Sequence, residues 1–268
     1  MPSRAWCLIR PEPSLRAKCF VNGLRSLGYD ARIGFPNSAK DCDVLVTWNR
    51  YGAAHERAVE VERRGGKVLV TENGYIGAGG TSPKYDLDGG MAMGHYVALA
   101  RGAHNGGGEW FSNGPDRWAQ LGVTLAPWRT DGDYILVCPN RSFGQPGRIQ
   151  PANWEHDVCA RLKRHTKRPI KLRVHPGGNK PRTPIEADLR AAWAVVIWHS
   201  TAGVHALVEG VPVLCDAPAW ILKPVAGTIE QVDSPLMPDR EPHFHRLAWA
   251  QWTLAEVATG VAFKGLLS

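Results

Sequence analysis

The 268-residue chain lacks most of the features that announce a function outright. No apolar run reaches the roughly 18 residues of a membrane span. The stretch MPSRAWCLIRPEP has neither a long apolar core nor a small-residue cleavage site, so no signal peptide is read. The six cysteines (Cys7, Cys19, Cys42, Cys138, Cys159 and Cys215) include no CxxC pair, so neither a zinc site nor a disulfide framework is suggested. Most lie inside apolar runs and read as buried thiols of a cytoplasmic protein. GxxxxGKS/T is missing, which excludes a P-loop, and no GxGxxG opens the first helix. No GxSxG elbow occurs, which disfavours hydrolase chemistry of the α/β type.

What is present is ordinary in bulk and unusual in two details. Apolar residues make up 44% and charged residues 21%, as in globular proteins, and the length suits one large domain or two modest ones. A net charge of +7 favours polyanionic partners, either nucleic acid or phosphate-bearing donors. Eleven tryptophans offer flat faces that stack on sugars and bases, although most tryptophans are core.

The chain alternates strand and helix signals. AWCLIR, DVLVTW (Asp43 to Trp48) and KVLVTE (Lys67 to Glu72) read as strands, separated by an amphipathic helix capped by Ser14 and by GAAHERAVEVERRGG. A glycine-dense stretch from about Gly77 to Gly114 interrupts this rhythm and reads as loop, with Gly102 to Gly108, Trp110 and Phe111 as a mobile acceptor loop. YILVCPN, PIKLRVHP, AVVIWHS and VPVLC then restart it. The expected architecture is α/β, with two Rossmann-like domains facing each other across a cleft. Residues 1–126 would form the acceptor side and 127–268 the nucleotide-sugar side, the last helix crossing back.

Three stretches carry candidate chemistry. AVVIWHSTAG runs from a strand into His199, Ser200, Thr201 and Gly203, and small residues at a helix start leave N–H groups and a dipole that bind phosphate. Plain N-capping explains the same residues. IKLRVHPGG reads as a buried strand ending at His175, with Arg173 on the same face. If the strands ending at His175 and His199 are neighbours, a cationic, donor-rich crevice results. KVLVTENGYIG ends a strand on Glu72, a carboxylate placed to deprotonate a hydroxyl; the plain reading is an Asn-Gly turn.

Together these segments resemble the GT-B nucleotide-sugar glycosyltransferases, in particular the capsule-polysaccharide and sialyl- or Kdo-transferase type with an HP motif. The matching pieces are E-N-G-Y at Glu72 to Tyr75, H-P at His175, and H-S-T followed by A-L-V-E-G-V-P-V. The resemblance implies Glu72 as catalytic base and His175, Ser200 and Thr201 as ligands of the donor phosphates. Many such enzymes have Glu five residues before the glycine of G-x-P-V, where this chain has His205. The tail HRLAWAQWTLAEVATG is similar to those of phage-encoded proteins of this kind.

The expected activity is therefore sugar transfer from a nucleotide donor, UDP-linked first and CMP-linked second, to a hydroxyl. Inverting displacement without a metal is the simplest mechanism, and no cofactor beyond the donor is expected. D-x-D pairs at Asp41/Asp43, Asp86/Asp88 and Asp131/Asp133 read mostly as turn chemistry. Asn140, Arg141 and Ser142 would reach the donor, and Trp48, Arg50, Asn73 and Tyr75 the acceptor. The acceptor reads either as a hydroxymethylated pyrimidine flipped out of double-stranded DNA or as a capsule or lipid-linked glycan. A non-catalytic nucleotide- or nucleic-acid-binding protein is the rival class.

Overall fold

In a computed structural model, residues 2–9, 14–80, 93–141, 143–175 and 183–268 are described. The elements run β1 (Arg4–Leu8), α1 (Leu15–Ser26), β2 (Asp30–Ile33), β3 (Val44–Trp48), α2 (Gly52–Arg63), β4 (Lys67–Asn73), β5 (Tyr96–Arg101) and α3 (Asp116–Leu121). They continue with β6 (Tyr134–Cys138), α4 (Trp154–His165), β7 (Ile170–Leu172), α5 (Ile185–Leu189), β8 (Ala192–Ile197), α6 (Ala202–Val208) and β9 (Val213–Cys215). The last are α7 (Glu241–Ala248), β10 (Gln251–Thr253), α8 (Leu254–Thr259) and α9 (Lys264–Leu267).

Two sheets result, one in the order β10-β5-β4-β3-β1-β2 and one in the order β7-β6-β8-β9. β1 to β4 are mutually parallel, β5 runs antiparallel to β4, and all pairs of the second sheet are parallel. The chain is thus an α/β protein with two Rossmann-like units. The central strands are buried on both faces, as parallel sheets covered by helices must be: Val44 to Thr47, Val68 to Thr71 and Ala194 to Ile197 are all buried.

Helix α1 shows how local sequence sets this packing. Ser14 accepts a hydrogen bond from the Ala17 N–H and stops fraying, while Ala17, Phe20, Val21 and Leu24 form the buried face. Gly23 lies on that face because α8 comes so close that a Cβ there would stand 1.9 Å from the Val257 carbonyl oxygen. The helix that covers the first sheet is therefore pinned by residues from the far end of the chain.

Three strands depart from the sequence reading. β5 lies in the stretch expected to be loop; its YVALAR run is bounded by Gly94 and Gly102, and the glycine density around it masked the signal. β10 is three residues long and pairs antiparallel with β5, below the length at which alternation is readable. β7 covers only Ile170–Leu172 and is a half-exposed edge, with Leu172 at 43% exposure, so the run Ile170 to His175 is not a buried strand, and Pro176 to Gly178 lie outside the described residues.

Candidate functional site

Both units place residues beyond the carboxyl ends of their strands. In parallel sheets ordered 2-1-3, the first crossover goes one way and the second the other, which opens a crevice where the order reverses. That reversal falls between β1 and β3 in one unit and between β6 and β8 in the other.

β7 and β8 are not neighbours, because β6 stands between them. The exit of β6 therefore joins the two histidines. The Asn140 side-chain oxygen accepts the His199 N–H at 3.0 Å, and the Arg141 Nε donates to the His175 Nδ1 at 3.3 Å. Asn140 is itself held by its own N–H, which donates to the side-chain oxygen of buried Gln150 at 2.8 Å. Arg141 and His175 are both exposed, so this pair offers a cationic surface over the sheet edge.

Glu72 projects from the end of β4 in the other unit. Its Oε1 accepts the Asn73 N–H at 3.0 Å, and the Asn49 side chain hydrogen-bonds the same carboxyl. Burial pushes its pKa above the usual carboxylate range, and this outweighs those bonds and the positive charges of Arg16 and Arg141. Arg141 belongs to the second unit, so the carboxyl feels charge across the seam. Tyr51 and Phe143 bridge the same seam with ring centroids 5.8 Å apart. Asn49 adopts φ 60, left-handed backbone that Asn tolerates better than other side-chain-bearing residues.

Between Glu72 and His199 lies the segment His104 to Gly108. Asn105 is the other non-glycine residue at positive φ among the described residues (φ 54). Its N–H donates to the Tyr75 hydroxyl at 3.0 Å, and its side-chain amide donates to the His199 carbonyl at 2.6 Å. The His199 Nε2 lies 3.1 Å from the Arg148 carbonyl, an acceptor only, so Nε2 carries the proton and Nδ1 faces the Asn105 amide at 3.4 Å. A Cβ on Gly106 would stand 2.4 Å from the Trp220 backbone, so this loop is wedged between the units rather than being a mobile acceptor loop.

The Arg148 guanidinium lies flat on Gly107, where a Cβ would come within 1.6 to 1.8 Å of its terminal atoms. Among the described residues it has no hydrogen bond or ion pair, and burial lowers its pKa. His104 beside it is held neutral, its pKa lowered to about 3 by burial and then by the charges of His199 and Arg148. Arg148, Asn105, His104 and Asn49 were not foreseen as site residues. The readable signal was His-Asn followed by three glycines, since such runs mark close backbone approach.

Several expected site residues are committed elsewhere. His199 has both ring nitrogens engaged inside the protein, which makes it a joint between units rather than a free donor ligand. Arg173 pairs with Asp188, a carboxylate it shares with Lys171, and bonds Thr183, so its head group is held away from a donor. Arg50 is buried and pairs with Glu62 at 2.6 Å while also bonding the Gly102 carbonyl, which turns it away from the crevice. Tyr75 is 3% exposed and cannot touch an acceptor.

His205 is buried on α6, its Nδ1 4.0 Å from Glu186, and desolvation lowers its pKa. Gly203 is a packing position, where a Cβ would stand 2.8 Å from both Ile197 and Trp220 side chains. Ser200 Oγ accepts the Ala202 N–H at 3.2 Å, and Thr201 is exposed at the start of α6. Trp48 is half-buried under the Arg16 guanidinium, 3.7 Å from the ring centre, and Asn73 is half-buried with its side-chain oxygen unpartnered. Ser142, Asp86 and Asp88 lie outside the described residues. Asp41 pairs with Arg4, and no group of three metal-ligating side chains forms among the described residues.

No known family profile matches the chain, and no curated protein matches it. Among solved structures it is similar to the β-Kdo 2,7-transferase of Thermosulfurimonas dismutans KpsC, at 13% identity and TM-score 0.49, covering 97% of this chain and 98% of that one. The β-Kdo 2,4-transferase of the same protein gives 13% identity and TM-score 0.46 over 80% and 79% of the two chains. A UDP-N-acetylglucosamine 2-epimerase from Listeria monocytogenes gives 10% identity and TM-score 0.31 over 96% and 94%.

Proposed function

We propose that this chain is a glycosyltransferase that moves a sugar from a nucleotide donor to a hydroxyl acceptor, with Glu72 as general base. The observation that carries this reading is the placement of Glu72: a carboxyl without an ion-pair partner among the described residues, its pKa raised by burial, within reach of the charge of Arg141 across the seam. A base poised above the ordinary carboxylate range accepts a proton from an incoming hydroxyl more readily near neutral pH.

Arg141, His175, Ser200 and Thr201 supply the donor side. Their cations and hydroxyls sit at the β6–β8 reversal, where parallel sheets bind phosphate-bearing ligands. Positive charge there stabilises the diphosphate or phosphate as it leaves, which is the largest contribution such a site can make. Arg148 adds a second, unneutralised cation on the same seam. Trp48 and Asn73 flank Glu72 on the acceptor side. The donor reading is UDP-linked first and CMP-linked second, with inversion by single displacement and no resident metal.

A glycan acceptor fits the charge distribution better than DNA. The net +7 suggested a polyanion, but half of the lysines and arginines from Arg161 to Lys171 are paired: Arg161 with Asp216 and Glu230, Arg168 with Asp233, and Lys171 with Asp188, while Lys163, Arg164 and Lys167 form no ion pair among the described residues. Pairing of half the strip lowers the number of counterions it would release on meeting a duplex. The test is Glu72→Gln, assayed for binding of UDP and CMP donors by calorimetry and for sugar transfer or donor hydrolysis. Donor binding within threefold of the parent with turnover lost supports the reading. Unchanged turnover, or no nucleotide binding by the parent, overturns it.

A further inference from the structure

A pocket of about 230 Å³ lies between β5, β10 and the chain's last helical turn. Its walls are Leu99, Trp110, Phe111, Trp249, Trp252 and Val261. It exceeds the roughly 150 Å³ of apolar cavities that stay dry and take up benzene. Its aromatic walls are fixed, and their polar atoms are turned away. The Trp110 Nε1 donates to the Arg246 carbonyl at 3.0 Å and the Trp249 Nε1 to the Gly114 carbonyl at 2.8 Å. Arg117, paired with Glu256, braces Trp252 from behind at 4.0 Å. Phe111 and Val261 are 49% and 40% exposed, so the apolar lining reaches the surface.

The rim is cationic. Lys264 lines the pocket, and the Arg246 guanidinium sits 5.2 Å over the Trp110 ring. Neither head group has an ion pair or hydrogen bond among the described residues. A preformed aromatic slot with Lys264 in its wall and the Arg246 guanidinium over one of its rings, neither neutralised, matches one kind of ligand: an apolar chain that ends in an anion. Two cations favour a phosphate head, which carries more charge than a carboxylate and accepts bonds from both.

We infer that this pocket binds an alkyl phosphate, with the chain between Trp110, Trp249 and Trp252 and the phosphate between Lys264 and Arg246. Glu72 is not among the residues that line the pocket or supply its cations, so failure of this site and failure of the transferase reading are separable.

The test titrates decyl phosphate, below its aggregation concentration, into the full chain, read by calorimetry and tryptophan emission. Decanol serves as the neutral comparison, and thermal unfolding confirms that each variant is folded. The expected result is saturable 1:1 binding, at least tenfold weaker for Lys264→Glu/Arg246→Glu and for decanol, lost in Val261→Phe, and unchanged in Glu72→Gln. No saturable binding, or equal binding by Val261→Phe and the charge-reversed variant, overturns the proposal. So does concentration-dependent dimerisation that Val261→Phe abolishes, because a second copy would then be the occupant.

Discussion

Replacing Asn105 tests whether the seam between the two units is held where the geometry places it. The Asn105 amide donates to the His199 carbonyl at 2.6 Å and faces the His199 Nδ1 at 3.4 Å. Asn105→Ala leaves that carbonyl without its donor in a largely buried place, a loss of about 1–3 kcal/mol. Alanine must also hold φ 54, which adds about 1 kcal/mol because left-handed backbone disfavours a Cβ. One change opposes both: the unpartnered Asn105 Oδ1 leaves with the side chain. A net destabilisation of about 2–3 kcal/mol is expected for alanine. Glycine loses the amide but adopts the backbone freely, so Asn105→Gly should lose about 1–2 kcal/mol. Urea unfolding followed by tryptophan emission resolves differences of this size when the slope is unchanged. Alanine within about 0.5 kcal/mol of the parent, or glycine less stable than alanine, would refute the reasoning.

Other expectations follow from the same seam. Gly107→Ala pushes the Arg148 guanidinium off its bed, because the new Cβ would lie 1.6 Å from Nη1; nucleotide affinity should fall several-fold while the unfolding midpoint barely moves, since only the flexible end of a side chain is displaced. Gly106→Ala meets the Trp220 backbone at 2.4 Å with φ +79 and should lower stability by more than about 3 kcal/mol, checked by calorimetric melting. His104 is neutral in the fold with a pKa of about 3 against an ordinary 6.5. Its contribution is fully present above pH 6.5 and is lost as pH falls towards 3, at no more than about 1.4 kcal/mol per pH unit; His104→Gln should flatten the acid limb of the stability–pH curve. Glu62→Ala strands the buried Arg50 guanidinium and should cost about 2–3 kcal/mol in denaturant unfolding.

The sequence made the frame legible where physical signals were local. Ser14 as a cap, the β-branched runs at Val44–Trp48 and Lys67–Glu72, and the apolar run into His199 all depend on neighbours in the chain. What stayed hidden depends on pairing at a distance. β10 is a strand only because β5 offers an edge, and Arg148 matters only because Gly107 brings backbone beneath it. The assumed adjacency of the strands ending at His175 and His199 failed for the same reason: strand order is set by crossovers, and β6 took the middle place. Charge misled as well, since a residue count cannot show that Arg161 meets Asp216, that Arg168 meets Asp233, or that Lys171 and Arg173 share Asp188.

The return of residues 251–259 to the first sheet has a consequence for the order in which the molecule is made. Gln251, fully buried, accepts the N–H groups of Tyr75 and Ile76 on one side-chain atom and donates to the Ile76 carbonyl with the other. The backbone just past Glu72 is thus fastened by a residue 175 or more positions later. While a ribosome is still extending the chain, the first unit has an open β5 edge and an α1 face with no α8 against it, and the second unit can close before the first is finished. Such long-range closure is slow and leaves an unpaired edge exposed in the interval. The unit whose strands come first in the sequence therefore completes its folding last, and Glu72 takes up its final setting only after residues 251–259 have emerged.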